Sequence, residues 1–206
     1  MKLVLASGNA GKLAEIRTVL DGSGFADLNV ELVAQSTLGI ADAEETASTF
    51  VENALIKARH ATRASGMPAL GDDSGICVDA LNGAPGLLSA RYAGTHADKS
   101  GGNAQANIVK LLDAMRDVPD VRRTAHFHCT LVLLRHAGDP APLIAEGRWH
   151  GTILHAPRGK SGFGYDPVFL PDDGGGLSAA ELNAVTKNRS SHRGLALARL
   201  RELLHA

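Results

Sequence analysis

The chain is poor in aromatic residues, with one Trp, two Tyr and five Phe among 206 positions, so any flat apolar slot has few rings to draw on. A dominant charge is also absent. The formal net charge is -1, which provides no global field to attract nucleic acid and leaves an anionic ligand to local lysines, arginines and backbone amides. Cysteine is limited to Cys77 and Cys129, both in apolar strand-like runs, where free buried thiols are commoner than a bridge; a reducing cytoplasm is the expected location. No stretch approaches the ~20 apolar residues of a membrane span, and Met1 to Ala6 is too short for the apolar region of a signal peptide. Repeats and low-complexity segments are missing too. At 44% hydrophobic and 21% charged residues the composition excludes disorder and fibrous architectures, and the length suits a single domain over residues 1–206.

What is present reads as alternating strands and helices. Leu3 to Ala6 is a short apolar strand that runs into Ser7-Gly8-Asn9, and a helix with Leu13, Ile16, Val19 and Leu20 on one face follows, ended by Asp21-Gly22-Ser23-Gly24 with its two glycines. A strand lies around Val30 to Val33. Thr49-Phe50-Val51-Glu52 fits a capping box, and Phe50, Ala54, Ala58 and Ala61 then recur at helical spacing until Gly66. Asp72-Asp73-Ser74-Gly75 reads as an acidic turn between Leu70 and the extended run from Ile76 to Val78. Residues 94–107 read as a surface loop before a helix marked by Ile108, Leu111, Leu112 and Met115. Ala125 to Leu134 and Leu143 to Trp149 form a long hairpin, and a last helix spans His192 to Leu204 with Ser191 as its N-cap. Crossover and hairpin signals together predict an α/β fold, a mixed twisted sheet flanked by helices.

Four groups of residues carry chemical possibilities. Ser7-Gly8-Asn9-Ala10-Gly11-Lys12 joins a strand to a helix, where free amides, the helix dipole and the Lys12 ammonium favour phosphate. It is no Walker A loop, since Leu13 stands where Ser or Thr would bind magnesium, and by itself it is equally an ordinary strand-to-helix turn. Glu44-Glu45 and Asp72-Asp73 offer hard oxygen ligands of the kind magnesium takes, alongside waters and substrate phosphates. Glu44 and Glu45 read equally as surface residues that complement a helix dipole. Phe163 and Tyr165 lie in a glycine-rich loop that permits close backbone approach, whereas Trp149 and Phe169 read as readily as a core cluster. Lys187, His192 and Arg193 gather at the start of the last helix, a placement that opposes its dipole and so asks for a functional reason. His126 and His128 share a strand face without a third ligand nearby and read as polar-face residues.

Taken together, Ser7 to Lys12, Glu44-Glu45-Thr46, Phe50-Val51-Glu52-Asn53-Ala54, Asp72-Asp73-Ser74-Gly75, Gly162-Phe163-Gly164-Tyr165-Asp166-Pro167 and Ser191-His192-Arg193-Gly194 closely resemble the inosine triphosphate pyrophosphatase family. The likeness runs in order through essentially the whole chain. It implies an elongated fold with two lobes around a central nucleotide cleft, a homodimer, magnesium as cofactor, and hydrolysis of purine nucleoside triphosphates such as dITP, ITP and XTP to the monophosphate and pyrophosphate. By the same resemblance Ser7, Gly8, Asn9, Ala10, Gly11 and Lys12 grip the triphosphate, Glu44 and Asp73 serve the metal, and Asp73 accepts the proton. Ser74 touches substrate; Phe163, Gly164, Tyr165 and Asp166 recognise the base; and Lys187, His192 and Arg193 make further substrate contacts. Departures from the family pattern are a lengthened loop at Ser100-Gly101-Gly102-Asn103 and an expanded one from Asp172 to Gly176. A related enzyme with another base preference and a nucleotide binder without turnover are the competing readings.

Overall fold

The computed structural model describes residues 2–22, 30–94 and 103–205. Its contacts divide the chain into two compact units, one made of Met1–Asp73, Cys129–Gly147 and His192–Ala206, the other of Ser74–His128 and Arg148–Ser191. Six strands, β1 (Lys2–Ala6), β2 (Glu31–Ala34), β3 (Ala69–Val78), β4 (Thr124–Leu134), β5 (Leu143–Ile153) and β6 (Phe169–Pro171), form one sheet in the order β2-β1-β3-β4-β5-β6. β1 runs parallel to both β2 and β3, while β5 and β6 are antiparallel, so the sheet is mixed as expected. Parallel neighbours need crossovers, which helices α1 (Ala10–Gly22) and α2 (Phe50–Ser65) supply.

In the first unit, Leu3, Leu5, Leu70, Leu131 and Leu133 of the strands pack with Ile16, Val19 and Leu20 of α1 and with Leu197 and Leu200 of α5 (His192–His205). α2 starts at Thr49, whose hydroxyl oxygen accepts from the Glu52 amide at 3.3 Å, and stops at Gly66 in the left-handed region. Ala54, Ala58 and Ala61 are fully buried, so the helix lies close to the sheet. That closeness is what Gly71 serves. A Cβ there would sit 2.1 Å from the Ala54 carbonyl oxygen, and backbone cannot yield as a flexible side chain does. Gly71→Ala is therefore expected to cost about 1–3 kcal/mol by overpacking, read by urea unfolding; a change under about 0.5 kcal/mol would show that α2 moves aside freely.

The second unit has its own core, in which Phe127 meets Phe169 with ring centroids 4.7 Å apart and Trp149 meets Phe169 at 5.4 Å. Trp149 and Phe169 are thus packing residues. The Trp149 Nε1–H donates to Asp173 at 2.8 Å, which ties the expanded 172–176 loop to this core.

Three local expectations are corrected. Asp72 and Asp73 do not form a turn but lie within the continuous strand β3, because cationic partners make their burial tolerable there. The helix expected from Ile108 begins earlier, as α3 (Ala104–Ala114), because Asn103 caps it by accepting from the Ala106 amide at 3.0 Å. Lys187 does not belong to the last helix: it lies in α4 (Ala184–Ser190), which Ser191 ends in extended conformation before α5. The Ser23 and Gly24 stop signal and the lengthened loop at Ser100, Gly101 and Gly102 fall outside the described residues.

Candidate functional site

The register of β1 on β3 pairs Ala6 with Gly71, so the next residues of β3, Asp72 and Asp73, follow where β1 gives way to the Ser7–Lys12 loop. Asn9 shapes that loop. Its side-chain oxygen accepts from the Lys12 amide at 3.1 Å, its own amide donates to Ser7 Oγ at 3.3 Å, and α1 begins from it. The Lys12 ammonium is thereby brought to Asp72, with Nζ 2.5 Å from Oδ1. Asp42 approaches the same loop, since a Cβ on Gly8 would stand 2.5 Å from its carboxylate.

Asp72 and Asp73 are adjacent yet live in different surroundings. Asp72 has no exposed surface and is held by Lys12, by Arg193 Nε at 3.1 Å and by the Cys129 thiol at 3.5 Å. Burial pushes its carboxyl up, but the Lys12 ammonium and the Arg193 guanidinium outweigh that and hold it far below the usual carboxylate range. Arg193, 2% exposed, also pairs with Glu15 of α1. Asp73 is 6% exposed; its Oδ1 accepts from Lys57 at 2.7 Å, while its buried Oδ2 has no hydrogen-bond partner among the described residues. Burial raises the Asp73 carboxyl, and Lys57 and Lys12 only partly offset it, so it stays above the ordinary value. One carboxylate is a fixed structural anion; the other keeps an open acceptor.

Lys57 is the residue the sequence reading missed. From α2 its ammonium reaches Asp73 at 2.7 Å, the Asp72 carbonyl at 3.1 Å and Glu45 at 2.7 Å. Burial lowers its pKa, and the carboxylates of Asp73 and Glu45 more than restore it, so it stays protonated. The available signal was its place beside Ala58 on the helix face that meets the sheet. Glu45 is positioned by Asn53, whose buried side chain accepts from the Ala47 amide at 3.0 Å and stitches that loop to α2. Lys12, Lys57 and Arg193 thus meet Glu15, Glu45, Asp72 and Asp73 in one charged group of the first unit. Glu45, rather than Glu44, is the acid joined to Asp73 through a shared cation. Glu44 lines a recess with Asp42, Ile56, Arg59, His60 and Arg63.

Among the described residues no three His, Cys, Asp or Glu side chains are grouped to enclose a metal ion. A divalent ion that keeps several waters and takes substrate phosphates as ligands does not need such a cage, and the unpartnered Asp73 Oδ2 is the kind of atom it would use. The donor set fits a magnesium-like ion on that basis.

The 162–167 loop belongs to the second unit. Gly162 has φ +76° and a Cβ there would strike the Asp166 carboxylate at 2.1 Å, so only glycine permits the turn in which Asp166 accepts from the Phe163 amide at 2.8 Å. Lys187 closes the group, 2.5 Å from Asp166 and with its ammonium 5.2 Å from the centre of the Phe163 ring. Phe163 is 37% exposed, whereas Tyr165 is buried with its hydroxyl donating to the Ser89 carbonyl at 2.9 Å. Phe163 is therefore the more exposed of the two rings, and Tyr165 anchors the loop. Lys187 falls in this unit, and His192 and Arg193 in the other, so the three expected neighbours divide between two units.

The Ham1 family matches this chain over residues 3–203. Curated proteins named dITP/XTP pyrophosphatase are similar throughout: that of Xanthomonas oryzae pv. oryzae is 61% identical over 204 residues, and that of Xanthomonas campestris pv. campestris 60%, each covering 99% of this chain and 97% of the relative. Among solved structures, a HAM1 protein from Coxiella burnetii superposes with a TM-score of 0.87 at 47% identity, covering 100% of this chain and 98% of the other.

Proposed function

Because the chain belongs to the Ham1 family, we propose that it is a nucleoside triphosphate pyrophosphatase that hydrolyses noncanonical purine nucleotides, dITP, ITP and XTP, to the monophosphate and pyrophosphate. Relatives of that name at 60% and 61% identity support the reading. The observation that carries it in the site is Asp73, a buried carboxylate with one oxygen paired to Lys57 and the other without a hydrogen-bond partner among the described residues. Such an oxygen is suited to take the proton of an attacking water as the bond between the alpha and beta phosphates breaks.

The remaining roles follow the chemistry of each position. The amides from Ser7 to Gly11 and the Lys12 ammonium grip the polyphosphate, with Lys57 as a further cation. Glu44 and Asp73 hold magnesium, which neutralises phosphate charge when bound. Ser74 contacts substrate. In the second unit Phe163 stacks on the base, Gly164 lets the backbone come close, and Tyr165, Asp166 and Lys187 hold that arrangement. His192 completes the binding set, and Arg193, engaged with Asp72 and Glu15, contributes through Asp72. The same reading includes a cytoplasmic homodimer, which sedimentation of the purified chain tests for its assembly.

Selection rests on the 6-position of the purine. Hypoxanthine and xanthine carry an acceptor oxygen where adenine carries a donor, so donors aimed there leave adenine with an unsatisfied contact. Pyrophosphate release with magnesium present is expected to favour ITP over ATP by at least about 100-fold in kcat/KM, and to vanish on chelation. Comparable ITP and ATP rates would defeat the base preference, and absence of release from any nucleoside triphosphate would defeat the enzyme.

A further inference from the structure

β4 and β5 are neighbours in the sheet, and in the second unit their side chains alternate between its two faces. Phe127 and Trp149 take the inner face, where their rings stack at 6.4 Å within the aromatic core. The residue before Phe127 and the residue after Trp149 are thereby brought together on the outer face. Both are histidines. The rings of His126 and His150 stand 5.5 Å apart between centroids, with planes 34° from parallel. His150 is exposed and His126 half-buried, and neither ring has a hydrogen-bond partner among the described residues.

Two imidazoles that share one tetrahedral ion have this spacing. With metal-to-nitrogen bonds of about 2.0–2.1 Å and an angle near 110°, the ring centres fall roughly 5–6 Å apart. Withdrawing a ring nitrogen from water without a partner also costs free energy, which a bound ion recovers. Two charges act on His126 from nearby: Arg148 opposes a cation there, and Asp79, fixed by the Thr124 hydroxyl that donates to it at 2.6 Å, favours one. Burial, His150 and Arg148 hold the His126 pKa below its ordinary value against the pull of Asp79, so the ring is neutral at pH 7 and offers the lone pair that metals take. His128 lies two residues along the same face, but its ring is 6.3 Å from that of His126, edge-on at 74°, and only 6% exposed. The half-buried Cys77 thiol, which also feels Arg148 and Asp79, is the other soft donor in this part of the unit.

The geometry points to a cross-strand metal site, in which His126 and His150 bind one zinc ion and waters supply its remaining ligands. No group of three protein ligands is needed for such a site, and none is present among the described residues. Imidazole nitrogen suits zinc, whereas magnesium takes oxygen, so this site and the carboxylates of Glu44 and Asp73 in the first unit select different ions. Bound there, zinc clips β4 to β5 and stabilises the second unit by binding only its folded form.

Calorimetric titration of the untagged full chain with zinc chloride, with magnesium in large excess to fill the acidic site, tests this directly. The wild type is expected to bind one zinc per chain in that background, and His150→Gln to bind it at least tenfold more weakly. His126→Gln should repeat the loss. Because His150 is exposed, its variant keeps the metal-free melting temperature of the wild type and a kcat/KM for ITP within twofold. Saturating zinc should raise the melting temperature of the wild type by several degrees and that of His150→Gln by less than about 1 °C. Absence of zinc binding, or equal affinity in wild type and His150→Gln, would overturn the proposal. So would a loss that follows Cys77→Ser and spares both histidine variants, since the ion would then sit on the thiol. The zinc readouts need no nucleotide turnover, so their outcome is separate from that of the enzymatic reading.

Discussion

Asp73→Asn is expected to lower kcat for ITP by about 10³-fold while leaving the fold intact, a loss typical of removing a positioned general base. The substitution keeps the shape of a side chain that is 6% exposed and removes its charge and its proton-accepting oxygen. Lys57 retains Glu45 as a partner at 2.7 Å, so the change leaves no cation stranded. The acid limb of the wild-type rate profile should lie higher than that of an ordinary aspartate, since burial raises the Asp73 carboxyl more than Lys57 and Lys12 lower it. In the variant that limb disappears along with most of the rate. Steady-state pyrophosphate release across pH reads both effects. A variant within tenfold of wild type and with an unchanged acid limb would remove Asp73 from the chemistry.

Asp72→Asn is expected to act on stability, by about 3 kcal/mol, or roughly a 10 °C fall in melting temperature for a chain of this length. The physical cause is an uncompensated cation: Arg193 is 2% exposed and loses the anion on its Nε, and Lys12 loses its partner at 2.5 Å. Glu15 still pairs with Arg193, which keeps the loss toward the lower end of the range for broken buried pairs. Because the folded-state pKa of Asp72 is depressed, its contribution is present above the unfolded carboxylate pKa of about 3.9 and is lost as pH falls through the folded value. The gap between wild type and variant in urea unfolding should thus be constant around neutrality and narrow only in acid. Adding Arg193→Met to Asp72→Asn should cost less than Arg193→Met does alone, because the two share one interaction. A change below about 1 kcal/mol for Asp72→Asn would mean that the buried charge network does not support the fold.

The contrast between these two neighbours marks how far sequence reasoning reaches. Both aspartates were legible as candidate ligands, but as members of a turn, since an acidic pair followed by Ser-Gly has the chemistry of one. Their division into a structural anion and an open acceptor depends on partners 60, 121 and 16 residues away, which no local pattern encodes. Lys57 escaped notice for the same reason. Its helix was predicted, but a lysine on a helix is ordinarily solvated, and only the approach of α2 over Gly71 brings this one to the acids. Arg193 shows the same limit: the sequence marks it as a candidate substrate contact but does not show that its guanidinium pairs with Asp72 and Glu15.

The amino-acid sequence by itself determined several local features: the Thr49 cap, the alanine face of α2, the Asn9 turn into α1, and the glycine that lets Asp166 fold back on Phe163. These are decided within a few residues, by hydrogen bonds and sterics that act along the chain. Tertiary structure alone decided which charges meet, because strand register and helix-to-sheet distance set the partners of a buried ion. In a medium that cannot screen it, those partners settle whether a carboxylate is locked in a pair or left open to react.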